Sequence, residues 1–97
     1  MNLEARPGFG KGVRLRQDPD GSAMLLVPEG ALALNPPAAA ALELVNGERS
    51  FAEIVASVEQ RFEVEHEQAR DDLRALFERL EGRNWVVLRQ AQDDMLR

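Results

Sequence analysis

The hydrophobic period of this chain changes at one point, Asn35-Pro36, and that change constrains the fold more than any other feature. Upstream the period is two. Val13 and Leu15 alternate with Arg14 and Arg16 across residues 13–18, the pattern of a half-buried strand. Asp18-Pro19-Asp20-Gly21 is a strong turn signal. Met24 to Val27 is apolar and suits a second strand, Pro28-Glu29-Gly30 makes the next turn, and Ala31 to Leu34 forms a short third strand. Turns this short join antiparallel neighbours, so the pattern predicts a three-stranded antiparallel sheet at the N-terminal side. Downstream the period becomes helical. Asn35 can accept from free backbone amides, and Pro36 at the first helical position loses no hydrogen bond. A first helix is expected over about Pro36 to Val45, stopped by Asn46-Gly47. Ser50 and Glu53 form a capping box for a second helix that runs to about Phe62, with Phe51, Ile54, Val55, Val58 and Phe62 on its buried face. A third helix covers roughly Glu65 to Glu81, with Ala69, Leu73, Leu76, Phe77 and Leu80 as its stripe. Asn84 can take the left-handed conformation that closes it, and Trp85 to Arg89 is a last extended piece. The expected architecture is α+β and winged-helix-like: a three-stranded antiparallel sheet, three helices, then a short C-terminal strand or tail.

The 97 residues fit one domain. Residues 1–12 read as a flexible N-terminal arm, because they hold Pro7 and three glycines and little that packs. Residues 13–89 form the domain, and residues 90–97 a C-terminal tail. The chain has no cysteine, which removes disulfides and thiolate metal sites. The first twelve residues carry no apolar run of a secretory signal. The most apolar stretch, Ala38 to Val45, is interrupted by Glu43 and is too short to span a bilayer. A cytoplasmic protein without a membrane partner is therefore expected. The formal net charge is -5, concentrated in the second half. Lys11, Arg14 and Arg16 form one small basic cluster, and nucleic-acid binders usually present many more positive charges. The strand and helix content also permits a winged-helix DNA-binding regulator. Against that reading, residues 65–81 hold three basic and six acidic side chains, and a recognition helix of that balance repels phosphate. No nucleic-acid partner is expected.

The catalytic inventory is thin. The chain has one histidine and no Cys, Tyr or Thr. His66, between Glu65 and Glu67, reads as a solvated surface residue rather than a base or a metal ligand. Asp71 and Asp72 project about 100° apart on a helix, so they do not share a site. Gly8, Gly10 and Gly12 neither follow a predicted strand nor open a helix, so they are no phosphate loop. The chain is expected to be no enzyme and to need no cofactor and no metal. The third strand is the more informative feature. Ala31-Leu32-Ala33-Leu34 has no charge, proline or bulge signal to protect an exposed edge. A groove between such an edge and a helix can receive an extended peptide by strand addition. Coverage of the same edge by another part of the chain explains the pattern equally well.

One further pattern spans the chain from about residue 10 to residue 88. Lys11-Gly12-Val13-Arg14-Leu15-Arg16 is followed by Leu25-Leu26-Val27-Pro28-Glu29-Gly30, then Leu34-Asn35 and an Ala-rich helix, Asn46-Gly47, the Ser50 to Val55 segment, and Leu80 to Val86. In order and spacing this series resembles the PqqD family of pyrroloquinoline quinone (PQQ) biosynthesis. The resemblance implies a peptide chaperone that binds the ribosomal precursor peptide PqqA and presents it to PqqE, a radical S-adenosylmethionine enzyme. It also implies a docking mode, in which the peptide adds as a strand to the third strand, in a groove closed by the third helix. Carried onto this chain, the peptide-binding residues would be Leu32, Ala33 and Leu34 on the strand and Arg70, Leu73, Arg74 and Phe77 on the helix. Arg70 and Arg74 would steer acidic residues of the peptide. The resemblance leaves a monomer and a homodimer both open. The family often has Cys-Asp-Gly where this chain has Val45-Asn46-Gly47, and commonly Gly where it has Asn84. Both departures keep the helix stop signals.

Overall fold

The computed structural model describes residues 2–89, so the expected tail at 90–97 lies outside the described residues. Its elements are β1 (Arg6–Phe9), β2 (Arg14–Gln17), β3 (Ala23–Val27), β4 (Gly30–Leu34), α1 (Pro36–Glu43), α2 (Phe51–Phe62), α3 (His66–Gly82) and β5 (Val86–Arg89). β2, β3 and β4 form the expected antiparallel sheet in that order, with Leu15 opposite Leu25 and Leu25 opposite Leu32. The α+β class and the three helices agree with the sequence pattern.

The helix ends are built by the groups the sequence supplies. Asn35 Oδ1 accepts from the Ala38 amide at 2.9 Å and opens α1. α1 ends at Glu43, two residues short of the expected Val45. The amides of Leu44 and Val45 turn back three residues, to Ala41 and Leu42, and tighten the last turn. Ser50 Oγ accepts from the Glu53 amide, and the Glu53 carboxylate accepts from the Ser50 amide, which completes the capping box of α2. Glu63 closes α2 at φ 54°, and Asn84, at φ 64°, takes the left-handed conformation expected past α3.

One core joins these elements. Leu25 from β3, Leu42 from α1, Phe51, Ile54 and Val55 from α2, and Leu73, Phe77 and Leu80 from α3 are all buried. The rings of Phe51 and Phe77 tilt against each other at 5.6 Å between centroids. Truncating either to Ala would cost about 3–5 kcal/mol. Among the described residues no helix is long and apolar enough to cross a membrane.

The flexible arm expected over residues 1–12 is corrected by the structure. Arg6–Phe9 is strand β1, and it pairs antiparallel with β5, Arg6 opposite Arg89 and Phe9 opposite Val86. The physical reason lies at the start of α2. A helix leaves its first amides without internal partners, and Ser50 satisfies only that of Glu53. The amides of Phe51 and Ala52 donate to the carbonyls of Ala5 and Leu3, at 2.8 and 2.9 Å, and the Gly47 amide donates to the carbonyl of Pro7. The N-terminal segment therefore supplies the acceptors that α2 and its preceding loop lack. Gly10 is required where the segment turns away. A Cβ there would lie 2.1 Å from the Asn84 carbonyl oxygen, while the Gly10 amide donates to the Trp85 carbonyl.

Candidate functional site

Among the described residues β4 is an edge strand: it pairs with β3 on one side only. Its ladder decides which backbone groups are free. On β3, alternate residues bond to opposite neighbours. The Asp18 amide donates to the Ser22 carbonyl at the β2–β3 turn, so the pairs Arg16–Met24 and Arg14–Leu26 continue that hydrogen-bonded phase. Leu25 and Val27 then bond across to Leu32 and Gly30. Ala31 and Ala33, opposite Leu26 and Met24, turn their amides and carbonyls to the open edge. Both residues are exposed, whereas Leu32 and Leu34 are half-buried and pack against the core.

Beside this edge runs α3, with one cavity between the two and a second next to it, between α3 and the start of α1. One, of about 240 Å³, is lined by Leu32 with Arg79, Leu80, Arg83 and Trp85. The other, of about 190 Å³, has Asn35, Pro37 and Ala38 at the start of α1 on one side and Asp72, Leu73, Leu76 and Arg79 of α3 on the other. β4 and α3 thus run in opposite directions along one groove, the start of the strand beside the end of the helix. The Trp85 indole N–H donates to Glu29 in the β3–β4 turn at 3.3 Å, and the Arg83 guanidinium lies 5.3 Å from the Trp85 ring. Those contacts tie the end of the groove to β5. Elsewhere, Arg61 pairs with Glu43 and His66 Nδ1 meets Glu59. These pairs join α2 to α1 and to α3.

The seven residues expected from the sequence separate into three groups. Leu32, Leu34 and Ala33 lie on β4, with Leu32 in the first cavity and the Ala33 backbone at the open edge. Leu73 lines the second cavity, and Phe77 is fully buried in the core behind it. Arg70 and Arg74 lie on the other flank of the buried stripe, half-buried, with both Nε atoms covered and unpartnered. At 100° per residue, Asp72, Leu76, Arg79 and Arg83 share the flank toward β4, and Arg70 and Arg74 point away from it. Leu76 was legible as part of the apolar stripe, displaced from the Leu73–Phe77–Leu80 line. Arg79 and Arg83 carried no such signal, because the pattern along a helix does not say on which side a distant strand will pack.

Known proteins point the same way as this architecture. The family model described as Coenzyme PQQ synthesis protein D (PqqD) matches residues 22–86. The chain belongs to the PqqD family. Among its relatives in that family is a protein named PqqA binding protein from Stutzerimonas stutzeri (strain A1501), 38% identical, aligned over 92% of this chain and 97% of the relative. A PqqA binding protein of Azotobacter vinelandii is 37% identical over 84% of this chain and 89% of its own length. Of solved structures, the chain is similar to the solution structure of the PqqD truncation of Methylobacterium extorquens PqqCD, described there as a functional and stand-alone RiPP recognition element. The two share 27% identity and a TM-score of 0.69, over 84% of this chain and 87% of that one. The matched span holds β3, β4 and the three helices.

Proposed function

We propose that this chain binds the precursor peptide PqqA as an added strand along β4 and presents it to PqqE during PQQ biosynthesis, without catalysing a reaction itself. The observation that carries this reading is the pair of outward backbones at Ala31 and Ala33, beside cavities lined by both apolar and charged side chains. An extended peptide there gains main-chain hydrogen bonds from the edge and buries alternate side chains against Leu32, Leu73 and Leu76. Its partners in family and fold support the choice of peptide: relatives across most of the chain are named PqqA binding proteins, and the similar solved structure is described as a recognition element. Holding a flexible peptide in extended form also reduces the ordering cost that the enzyme would otherwise meet.

Titration of a PqqA peptide into the wild-type chain and into Ala33→Pro tests the reading. Proline at this position removes the outward amide but no bond to β3. Affinity should fall about tenfold or more while the circular dichroism spectrum is retained. Unchanged affinity in the folded variant would sink strand addition on β4. Presentation has its own test. Cross-linking of PqqA by PqqE should require this chain, and His66→Ala should leave that reaction nearly intact.

A further inference from the structure

Arg79 is the side chain common to both cavities of the groove, and its surroundings leave its charge unanswered. On its own helix face, the residues four positions away are Ala75 and Arg83, so no acid sits at the spacing that would pair with it. Among the described residues Arg79 takes part in no ion pair. The acids near the groove are otherwise occupied or distant. Asp72 accepts both of its bonds from Gln68, at 3.0 and 3.1 Å. It stands seven residues before Arg79, about 10 Å along the helix axis. Glu29 accepts from the Trp85 indole at the opposite end.

Given strand docking on β4, on which this inference rests, the groove has a definite order. Alternate residues of an added strand face it, each about 7 Å from the next. One cavity opens beside Leu32 of β4 and the other just past the end of β4, at Asn35 and the first turn of α1, with apolar side chains in each and Arg79 lining both. Three successive groove-facing positions, the outer two at the cavities, bring the middle one beside Arg79. We infer that Arg79 reads a carboxylate on the docked peptide, at the middle of a pattern apolar–x–Asp/Glu–x–apolar whose outer side chains enter the two cavities. Arg83 adds positive charge on the Leu32 side. Asp72 disfavours a second acid on the Asn35 side, so the charge order also fixes which way round the peptide's acids are accepted. A guanidinium suits this role because it offers two parallel N–H donors to a carboxylate.

Calorimetric titration with a PqqA peptide, and with peptides in which each Asp or Glu is replaced singly by its amide, tests the inference against wild type, Arg79→Gln and Arg79→Lys. Arg79→Gln should weaken the unmodified peptide roughly tenfold, as loss of a hydrogen bond between charged groups does, and Arg79→Lys should restore part of that. One acidic position, with apolar residues two before and two after it, should show the same loss in wild type and no further loss in Arg79→Gln. Losses that simply add at every acidic position, or an unchanged affinity in Arg79→Gln, would overturn the carboxylate contact. Ala33→Pro separates the two levels. If it abolishes binding while Arg79→Gln has no effect, strand docking stands and this inference falls. If Ala33→Pro binds normally, both fall.

Discussion

The two sheets treat their edges in opposite ways. β1 faces β5 on one side, and on the other its segment gives the carbonyls of Leu3, Ala5 and Pro7 to the amides of Ala52, Phe51 and Gly47. β4 faces β3 on one side, and on the other Ala31 and Ala33 turn outward backbone groups that meet no partner strand among the described residues, with no charge or proline on the strand. Edge strands are usually blunted, and β1 is: it carries Pro7 and is capped by the loop before α2. The same protein therefore contains a protected edge that stabilises the fold and an unprotected edge beside a groove. Under the proposed function, that unprotected edge is where the peptide pairs.

That contrast can be broken from either side. Among variants at the two edges, the largest effect on stability is expected at Gly10→Val. Its side chain would collide with the Asn84 carbonyl and force β1 from β5, costing about 2–3 kcal/mol in chemical denaturation, in the range of overpacked cores. Ala33→Pro should do the reverse: binding of PqqA weakens about tenfold or more, yet stability changes by less than about 1 kcal/mol, because this amide does not serve the ladder. Equal loss of stability in the two variants would erase the distinction between the edges. Ser50→Ala sharpens it further. The capping box shares the first turn of α2 with the β1 segment, so its loss should cost about 1 kcal/mol and leave peptide affinity within about twofold, since the groove is elsewhere.

The smallest effect concerns the β2–β3 turn. Hydrogen bonds from Ser22, first its amide and then its hydroxyl, hold the Asp20 carboxyl below its ordinary value of 3.8. A lowered folded value means that this contribution is complete above the ordinary carboxylate range and is lost as pH falls through the folded value. A carboxyl-detected pH titration should place the Asp20 midpoint below 3.8. In Ser22→Ala, which keeps the amide donor, the midpoint should move part of the way back up. No change in Ser22→Ala would assign the shift to the backbone alone.

Much of this was legible in the sequence because it is local. Asn35-Pro36, Ser50 with Glu53, and Asn84 each act within a few residues, and the structure uses each as its chemistry suggests. The β2–β3–β4 meander was legible for the same reason, since its turns are short. β1 was not. Arg6-Pro7-Gly8-Phe9 has no alternation, and it becomes a strand only because β5, nearly eighty residues later, and the free amides of α2 meet it in space. The candidate groove divides along the same line. That residues 31–34 form a strand followed from a local pattern, but the flank of α3 beside it depends on how the helix crosses the sheet. Arg70 and Arg74 were expected in the groove, and Arg79 and Arg83 line it.

Backbone hydrogen exchange of the chain with and without bound PqqA peptide tests the central claim most directly. If the peptide adds along β4, the amides of Ala31 and Ala33 gain protection on binding, while those of Leu32 and Leu34, already paired with β3, change little. Protection that appears instead along β1 and β5, or bound peptide with Ala31 and Ala33 exchanging as freely as before, would contradict the account.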